Sequence, residues 1–394
     1  MAAPEDPPRP APAPSASPPA VDPPVTARLV GVDVARGLAI AGMLTRHIGP
    51  APTDPTVASA AWLYTRTDGR AAVLFALVAG VGVALLADRY PPRWLTARLL
   101  YRAAWLLPLG LWLQSLDHPV AVILQFYALY FVAVRPFARR SDAVVLTSAA
   151  ALAVLGPAAV LTAQVARPEW SSHLGGDAPN LVVDLLLTGH YPVVTYLVPV
   201  LVGLWLGRWL LRWRRRGSPA REALTVGATG AGVAVVVAAL SLPLSAAVTP
   251  DPRALTWATT VDGHSQMPLW LVASTATAVA VVAIACWLSD RAVRLVVPAA
   301  AFGRLALTVY VAHLLAFPAG PEGWMQAETV AGGAVRVGGV VVLATLFAVL
   351  WLRWRPRGPL EGLERWPFER TLGRWLRGSG EAHGDATDPL RRTM

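Results

Sequence analysis

Residues 28–49, RLVGVDVARGLAIAGMLTRHIG, form an apolar stretch that carries Asp33, Arg36, Arg46 and His47. The stretch is long enough to cross a bilayer, because about twenty apolar residues in a helix span the hydrocarbon core. At about 1.5 Å per residue, Arg36 and His47 lie roughly 16 Å apart along the helix axis. A separation of eleven residues also returns the two side chains to nearly the same face. The stretch therefore predicts a membrane helix with one face that is polar at both ends and apolar between them.

The charges in this helix allow two interpretations. Asp33 precedes Arg36 by one turn, so the two side chains can form an i, i+3 ion pair. Ionisable side chains inside a membrane segment are expensive and by default mark a functional site. Alternatively, Asp33 and Arg36 form a structural pair near the lipid headgroups, and His47 is an ordinary interfacial histidine.

The composition of the whole chain is typical of a multi-pass membrane protein. Of its 394 residues, 55% are hydrophobic and only 15% are charged, whereas soluble domains carry about 25% charged residues. The net charge of +10 does not indicate nucleic-acid binding, because the arginines occur in short clusters between apolar runs. The only cysteine, Cys286, lies in an apolar run, forms no intrachain disulfide and is expected to be a packing residue.

Ten windows of about twenty apolar residues predict an all-α, polytopic membrane helix bundle with about ten transmembrane helices. The windows are 29–49, 69–87, 97–115, 119–136, 142–165, 192–211, 222–247, 268–288, 295–317 and 333–353. Arginines are concentrated in every second loop and after the last window, so the positive-inside rule places both termini in the cytosol. The protein is accordingly expected in the plasma (inner) membrane.

The regions outside the bundle differ in composition. Residues 1–27 are rich in proline and alanine and predict a disordered cytosolic tail. Residues 28–356 form the predicted bundle, and residues 357–394 a cytosolic amphipathic segment and tail. The outer segment 167–191 is longer than an ordinary connector and is either functional, disordered or re-entrant. Gly80 and Gly82 are expected to allow close helix packing.

This topology separates the histidines from the arginines. Most histidines fall at the outer surface or in the outer half of a helix: His47, His118, His173, His190, His264 and His313. Four arginines fall at the inner ends of helices: Arg36, Arg98, Arg102 and Arg304. The chain is thus expected to have guanidinium groups at one end of the bundle and imidazoles at the other.

Six segments, taken in order, carry a family resemblance. They are VDVARGLAIAGM (32–43), DGRAAVLFALVAGVGVAL (68–85), VAVILQFYALYF (120–131), GHYPVVTYLVPVLVGLWLGR (189–208), GRLALTVYVAH (303–313) and RGPLEGLER (357–365). The ordered set resembles the transmembrane acyltransferase superfamily, in particular bacterial YeiB-like relatives of heparan-α-glucosaminide N-acetyltransferase. The resemblance implies a bundle of about ten helices that uses cytosolic acyl-CoA, expected to be acetyl-CoA, to acylate a substrate on the other side of the membrane.

The resemblance also implies roles for individual residues. The family's catalytic histidine near the outer end of the first helix matches His47, and the interval from Arg36 to His47 is similar to the Arg-x10-His pattern of the acyltransferase-3 group. An imidazole titrates near neutrality and so suits a general base. A covalent acyl-histidine is an open alternative.

The remaining predicted site residues fall into three groups. Residues predicted to bind acyl-CoA are Arg36, Arg102, Arg304, Gln125 and Tyr127, because guanidinium groups suit phosphate and an amide or phenol can bond to pantetheine. Residues predicted to bind the acceptor substrate are Arg70, His190, Tyr191 and His313. Asp33 is the predicted structural ion-pair partner. No metal is expected, because the histidines lack zinc-type spacing. Each polar residue can alternatively serve as an interhelical hydrogen bond or interfacial anchor.

Two other functions remain open. A small-solute transporter or flippase would use the same buried charges along its path, although no matching halves are visible. A non-catalytic relative with the same fold is the third interpretation. The expected partners are membrane lipids, acyl-CoA, an unknown extracytoplasmic acceptor and a second copy of the chain, but not nucleic acid.

Overall fold

The computed structural model describes residues 28–50, 67–167, 170, 181–247, 259–321 and 323–378. Within these ranges the chain is helical and contains no β-strand. The predicted tail 1–27, residues 168–169 and 171–180 of segment 167–191, and the residues after 378 lie outside the described residues. The prediction of an all-α fold is therefore confirmed for the part of the chain that the structure describes.

The described residues form twelve α-helices longer than ten residues, numbered in chain order. They are α1 (Val30–Ile48), α2 (Arg70–Arg89), α3 (Pro92–Gln114), α4 (Leu124–Val134), α5 (Asp142–Ala166), α6 (Val193–Arg215), α7 (Ala220–Ala247), α8 (Pro268–Arg291), α9 (Val293–Arg304), α10 (Ala306–Ala316), α11 (Val330–Trp354) and α12 (Pro359–Gly378). A 3₁₀ turn covers Arg135–Phe137, and a short turn, Leu181–Val183, continues into a π-helix, Asp184–Thr188.

Six helical stretches in the described residues are long and apolar enough to cross a membrane. They are α2, α5, α6, α7, α8 and the stretch Val330–Thr371, which contains α11. Helices α9 and α10, which are bent by 59° where they meet, make a seventh if they are counted as one span. The protein is thus a multi-pass membrane protein.

The predicted count of ten spans and the cytosolic placement of both termini stay predictions. The other three predicted spans correspond to α1, α3 and α4. Helix α1 carries Asp33, Arg36 and Arg46, and α3 carries Arg98 and Arg102, which lower the hydropathy of both helices. Helix α4 has only 11 residues. These three helices are those that carry many of the predicted site residues.

Helix α1 lies at the centre of the bundle. It packs against α2, α8, α9, α10 and α11. Close approach is possible where α1 or its neighbour has a glycine: a Cβ on Gly303 would lie 1.8 Å from the carbonyl oxygen of Asp33. Ile40 and Met43, between the polar ends of α1, are buried.

Helices α2 and α6 approach each other through glycines. A Cβ on Gly80 would lie 1.9 Å from the carbonyl oxygen of Val200, and one on Gly203 would lie 2.0 Å from that of Leu77. Small residues allow such backbone contact between membrane helices. Gly82, by contrast, has no neighbouring atom within 4 Å of a built Cβ, so only Gly80 of the predicted pair has a packing role between the described helices.

Gly80→Val is expected to destabilise the protein by about 1–3 kcal/mol, because the added side chain would force two backbones apart. Thermal unfolding in detergent measures this as a lower midpoint temperature. The matched control is Gly82→Val on the same helix, which is expected to leave the midpoint unchanged. An equal loss in both variants would mean that valine disturbs α2 itself rather than its packing on α6.

The predicted span 119–136 contains a non-helical entry. Residues 119–123 are irregular, and Val120, Val122 and Ile123 are buried. Side chains satisfy part of this backbone: Val122 N–H donates to Gln114 Oε1 at 2.8 Å, and Ile123 N–H donates to the Tyr310 hydroxyl at 3.1 Å. Irregular backbone at membrane depth is tolerated only inside protein or beside a cavity. Hydropathy reports only that these residues are apolar, so it could not show this break.

Candidate functional site

Charged side chains from several helices lie together near the N-terminus of α1, close to α3, α9 and α12. We term this region the arginine end and define it by Arg36, Arg98 and Arg102. Asp33, which is 5% exposed, accepts a hydrogen bond from Arg36 Nη1 at 2.9 Å and also pairs with Arg28. Because two guanidinium groups share one carboxylate, the start of α1 keeps a surplus positive charge.

A buried ion pair joins α3 to the C-terminal helix α12. Arg98 is 4% exposed and Glu364 is 3% exposed, and their closest nitrogen and oxygen lie 2.8 Å apart. Arg102 Nε lies 4.0 Å from the same carboxylate, and its guanidinium lies 5.0 Å from the centroid of the Phe131 ring. Helix α12, part of the segment 357–394 that was predicted to lie outside the bundle, thus forms one wall of the site.

A second carboxylate of α12 caps α10. Glu361 Oε1 accepts hydrogen bonds from the N–H groups of Leu307 at 2.8 Å and Thr308 at 3.1 Å, and Oε2 accepts from the Thr308 hydroxyl at 2.6 Å. A carboxylate is favourable at a helix N-terminus, where the first N–H groups lack intrahelical partners. Helix α12 therefore fixes the start of the helix that carries His313.

Arg304 lies apart from the Arg98–Glu364 pair. Its Nη2 donates to the Pro356 carbonyl at 2.7 Å, and it interacts electrostatically with Arg28 and Asp33. Two of the arginines predicted to bind acyl-CoA, Arg36 and Arg102, interact with each other electrostatically. Arg304, at the end of α9, therefore interacts with residues at the start of α1 and not with the Arg98–Glu364 pair beside Arg102.

Buried polar atoms continue from the arginine end toward the middle of the bundle. Within the described part of the chain, Arg102 Nε, the Tyr127 hydroxyl and Gln125 Oε1 are buried and have no hydrogen-bond partner. Arg36, Arg102 and Tyr310 all act electrostatically on the Tyr127 phenol. A buried polar group without a partner costs about 1–3 kcal/mol. Such groups in a native structure therefore indicate a place for water or a ligand.

Two imidazoles meet at the opposite end of α1, which we term the histidine end (His47, His264, His313). His47 Nδ1 and His313 Nε2 lie 3.0 Å apart, although the residues are 266 positions apart in the chain. The rings are nearly parallel, with an angle of 12° and centroids 5.2 Å apart. His313 is 4% exposed and packs edge to face on Tyr310 at 5.1 Å.

A carboxylate lies beside His264, the third imidazole of the histidine end. Asp68 Oδ1 accepts a hydrogen bond from Arg46 Nε at 3.1 Å and lies 3.5 Å from His264 Nε2. His264 Nδ1 lies 3.5 Å from the Tyr196 hydroxyl, and His264 interacts electrostatically with His47. His264 has a φ of +58°, a left-handed conformation that is unusual outside glycine and often occurs at functional sites.

The structure brings the residues predicted to bind the acceptor to the same end. Arg70 Nη2 donates to the Val261 carbonyl at 3.1 Å. The His190 and His264 ring centroids lie 6.3 Å apart, and those of Tyr191 and His264 lie 5.4 Å apart. Burial lowers the pKa of His190 to about 4 and also lowers the pKa of His264. Both imidazoles are therefore neutral at pH 7.

Sequence reasoning missed Asp68, His264, Arg98, Glu361 and Glu364 as members of the candidate site. Asp68, Glu361 and Glu364 lie inside segments that carry the family resemblance, and this was the one signal available for them. His118, by contrast, forms hydrogen bonds with Leu113 at the end of α3 and with Val120, and its ring lies 6.3 Å from that of Phe317. Among the described residues, no group of three or more His, Cys, Asp or Glu side chains could hold a metal ion.

Two family models match the chain. The heparan-alpha-glucosaminide N-acetyltransferase catalytic domain matches residues 28–236, and a model described as a protein of unknown function (DUF418) matches residues 228–370. No curated protein sequence matches the chain. The two matches together run from the start of α1 into α12, so they cover both ends of the candidate site.

Proposed function

The chain belongs to the transmembrane acyltransferase superfamily, within the family of the heparan-alpha-glucosaminide N-acetyltransferase catalytic domain, and on this premise we propose that it transfers an acyl group from acyl-CoA to an acceptor across the membrane. The acyl group is acetyl. The acceptor is an extracytoplasmic hydroxyl or amine, such as that of an amino sugar, in line with the name of the matched domain.

The observation that carries this proposal is the placement of two different chemistries at opposite ends of α1. Guanidinium groups suit the phosphates of acyl-CoA, and an imidazole suits proton transfer from an acceptor. Arg36 and His47 are roughly 16 Å apart along the helix, a distance suited to an extended pantetheine arm.

The residues between the two ends fit such a ligand. The Tyr127 hydroxyl and Gln125 Oε1 are buried without a hydrogen-bond partner among the described residues, and a phenol and an amide match the amide groups of a pantetheine arm. Arg102 Nε, which has no hydrogen bond and only a 4.0 Å ion-pair contact with Glu364, matches a phosphate. Bound acyl-CoA would supply a thioester, an activated carbonyl that a hydroxyl or amine can attack.

In the proposed reaction His47 takes the proton of the acceptor as the acceptor attacks the acyl carbon. Arg46 and Asp68 pair beside His47, and the nearby His190 is neutral at pH 7, so the histidine end carries little net charge. A site of this kind suits an uncharged hydroxyl or amine as the acceptor.

We place the arginine end in the cytosol, both termini on the same side, and the protein in the plasma membrane. This orientation follows from the arginine-rich loops and from the location of acyl-CoA in the cytosol. Membrane lipids surround the bundle, and exposed apolar residues on α11, such as Val335 and Leu343, are available to lipid or to a second copy.

The proposed function is tested with purified protein in detergent, ¹⁴C-acetyl-CoA and glucosamine as the acceptor probe. Labelled acetylglucosamine or, without acceptor, labelled acetate is the expected product. If acetyl-CoA neither binds in calorimetry nor loses its label, the proposal is wrong.

Tyr127→Phe is expected to raise the KM for acetyl-CoA about three- to tenfold, because one hydrogen bond contributes about 0.5–1.5 kcal/mol. The matched control is Tyr130→Phe one turn further on: the Tyr130 hydroxyl donates to the Tyr191 carbonyl at 2.6 Å. The control is expected to lower thermal stability and leave this KM unchanged. The assignment of Tyr127 fails if the KM values of both variants equal that of the wild type.

One observation favours a second candidate, a small-solute transporter. The irregular residues 119–123 lead into the short helix α4, and interrupted helices of this kind line binding sites in transporters. Solute uptake by proteoliposomes without any acyl-CoA would support this alternative over acyl transfer.

A further inference from the structure

We propose that His313 is a positioning residue for His47, fixing both the orientation of the His47 ring and the tautomer that leaves His47 Nε2 free to accept a proton. This role rests on the proposed acyl transfer. The family resemblance identifies one histidine, whereas the geometry points to a pair.

The hydrogen bond between the two rings allows only one donor. A neutral imidazole carries one N–H, on either Nδ1 or Nε2. If His47 Nδ1–H donates to His313 Nε2, then His47 Nε2 has a free lone pair and can act as a base. If His313 Nε2–H donates instead, the proton of His47 lies on Nε2 and the ring cannot accept one there.

The surroundings of His313 favour the first arrangement. The carbonyl groups of Val309 and Tyr310, one turn earlier on α10, interact with the His313 imidazole. Its Nδ1 is buried and reaches hydrogen-bond geometry with no atom of the described chain. Carbonyl oxygens only accept, so they favour the tautomer with hydrogen on Nδ1. In the proposed arrangement His313 Nε2 is then the acceptor, and His47 Nδ1–H donates to it across the 3.0 Å contact.

His313 is itself held firmly. Its ring packs on Tyr310, whose hydroxyl accepts a hydrogen bond from the buried Ile123 N–H. Phe317 lies on a further side, with ring centroids 6.4 Å apart. Glu361 caps the N-terminus of α10. His313 is therefore held by ring contacts with Tyr310 and Phe317, while Ile123 and Glu361 anchor the helix that carries it, so it can act as a rigid reference for His47.

The proton balance needs no change in His313. His47 Nε2 takes the proton of the acceptor hydroxyl or amine, while His47 Nδ1–H continues to donate to His313. The lone pair of the acceptor forms the new bond to the acyl carbon, and the carbon–sulfur bond breaks. The sulfur leaves as a thiol with the proton that His47 took up, so His47 returns to its starting tautomer.

The test compares His313→Ala with His313→Gln in the ¹⁴C-acetyl transfer assay. Alanine removes the acceptor for His47 Nδ1–H, and kcat is expected to fall about 10- to 100-fold, below the full contribution of a general base. Glutamine offers a carbonyl oxygen near the position of His313 Nε2 and is expected to recover at least part of that loss. The KM for acetyl-CoA should stay within about twofold of wild type, because His313 does not contact the proposed acyl-CoA residues at the arginine end.

His118→Ala is the matched control, because the hydrogen bonds of His118 go to Leu113 and Val120, whereas His313 is bonded to His47, and its kcat is expected to stay unchanged. Calorimetric binding of acetyl-CoA shows whether each variant is folded. Wild-type protein without any transfer would refute the proposed function itself. Wild-type transfer combined with an unchanged kcat in His313→Ala, or with equal losses in the alanine and glutamine variants, would refute the positioning role alone.

Discussion

His47→Ala is expected to lower the rate of acyl transfer by about 10²–10⁴-fold, the usual contribution of a general base. The side chain lies at the end of α1 remote from Arg36, and its Nδ1 is engaged by His313. Removing the imidazole leaves the acceptor without a base but does not touch the arginine end. Acetyl-CoA affinity is therefore expected to stay within about twofold of the wild-type value, because the interaction lost is one with the acceptor.

The ¹⁴C-acetyl transfer assay and calorimetry, carried out on the same preparation, measure the two quantities separately. His118→Ala serves as the control for the removal of a histidine at this side of the bundle. Full turnover by His47→Ala would remove His47 from the mechanism and leave another imidazole, such as His264, as the candidate base. Loss of both binding and turnover would point instead to a structural role.

Glu364→Ala is expected to destabilise the protein by about 3–5 kcal/mol, because removal of one partner leaves an uncompensated buried charge. Glu364 and Arg98 are both more than nine-tenths buried, so water cannot easily solvate the Arg98 charge once the Glu364 carboxylate is removed. Thermal unfolding in detergent measures the effect. The double variant with Arg98→Met is expected to recover part of the stability, since it removes the unpaired charge.

The same helix offers a matched control. Glu369 pairs with Arg357, and these side chains are 31% and 32% exposed, so Glu369→Ala is expected to cost less than about 1 kcal/mol. Similar losses for Glu364→Ala and Glu369→Ala would show that α12 is only loosely attached. The Arg98–Glu364 ion pair would then not be what attaches α12 to α3 at the arginine end.

The features of the site that lie within one helix could be predicted from the sequence. The i, i+3 spacing placed Asp33 beside Arg36, and the structure has that contact at 2.9 Å. Helical periodicity likewise placed Arg36 and His47 at opposite ends of α1. Such predictions succeed because they depend only on the regular geometry of one helix.

Contacts between distant segments could not be predicted in this way. The approach of His313 to His47 and of Glu364 to Arg98 each joins residues 266 positions apart, and tertiary packing alone sets them. Hydropathy also failed at 119–123, because a buried irregular segment is as apolar as a helix. The resemblance did select the segment that holds Glu361 and Glu364, but it assigned no contact to either.

The central claim is that one buried path connects the arginine end with the histidine end. A cryo-EM map of the protein with a non-transferable thioether analogue of acetyl-CoA tests it most directly. We expect continuous density, with the phosphates beside Arg36 and Arg102, the arm along Tyr127 and Gln125, and the acyl group beside His47. Density elsewhere on the protein, with only packed apolar side chains between Arg36 and His47, would contradict it.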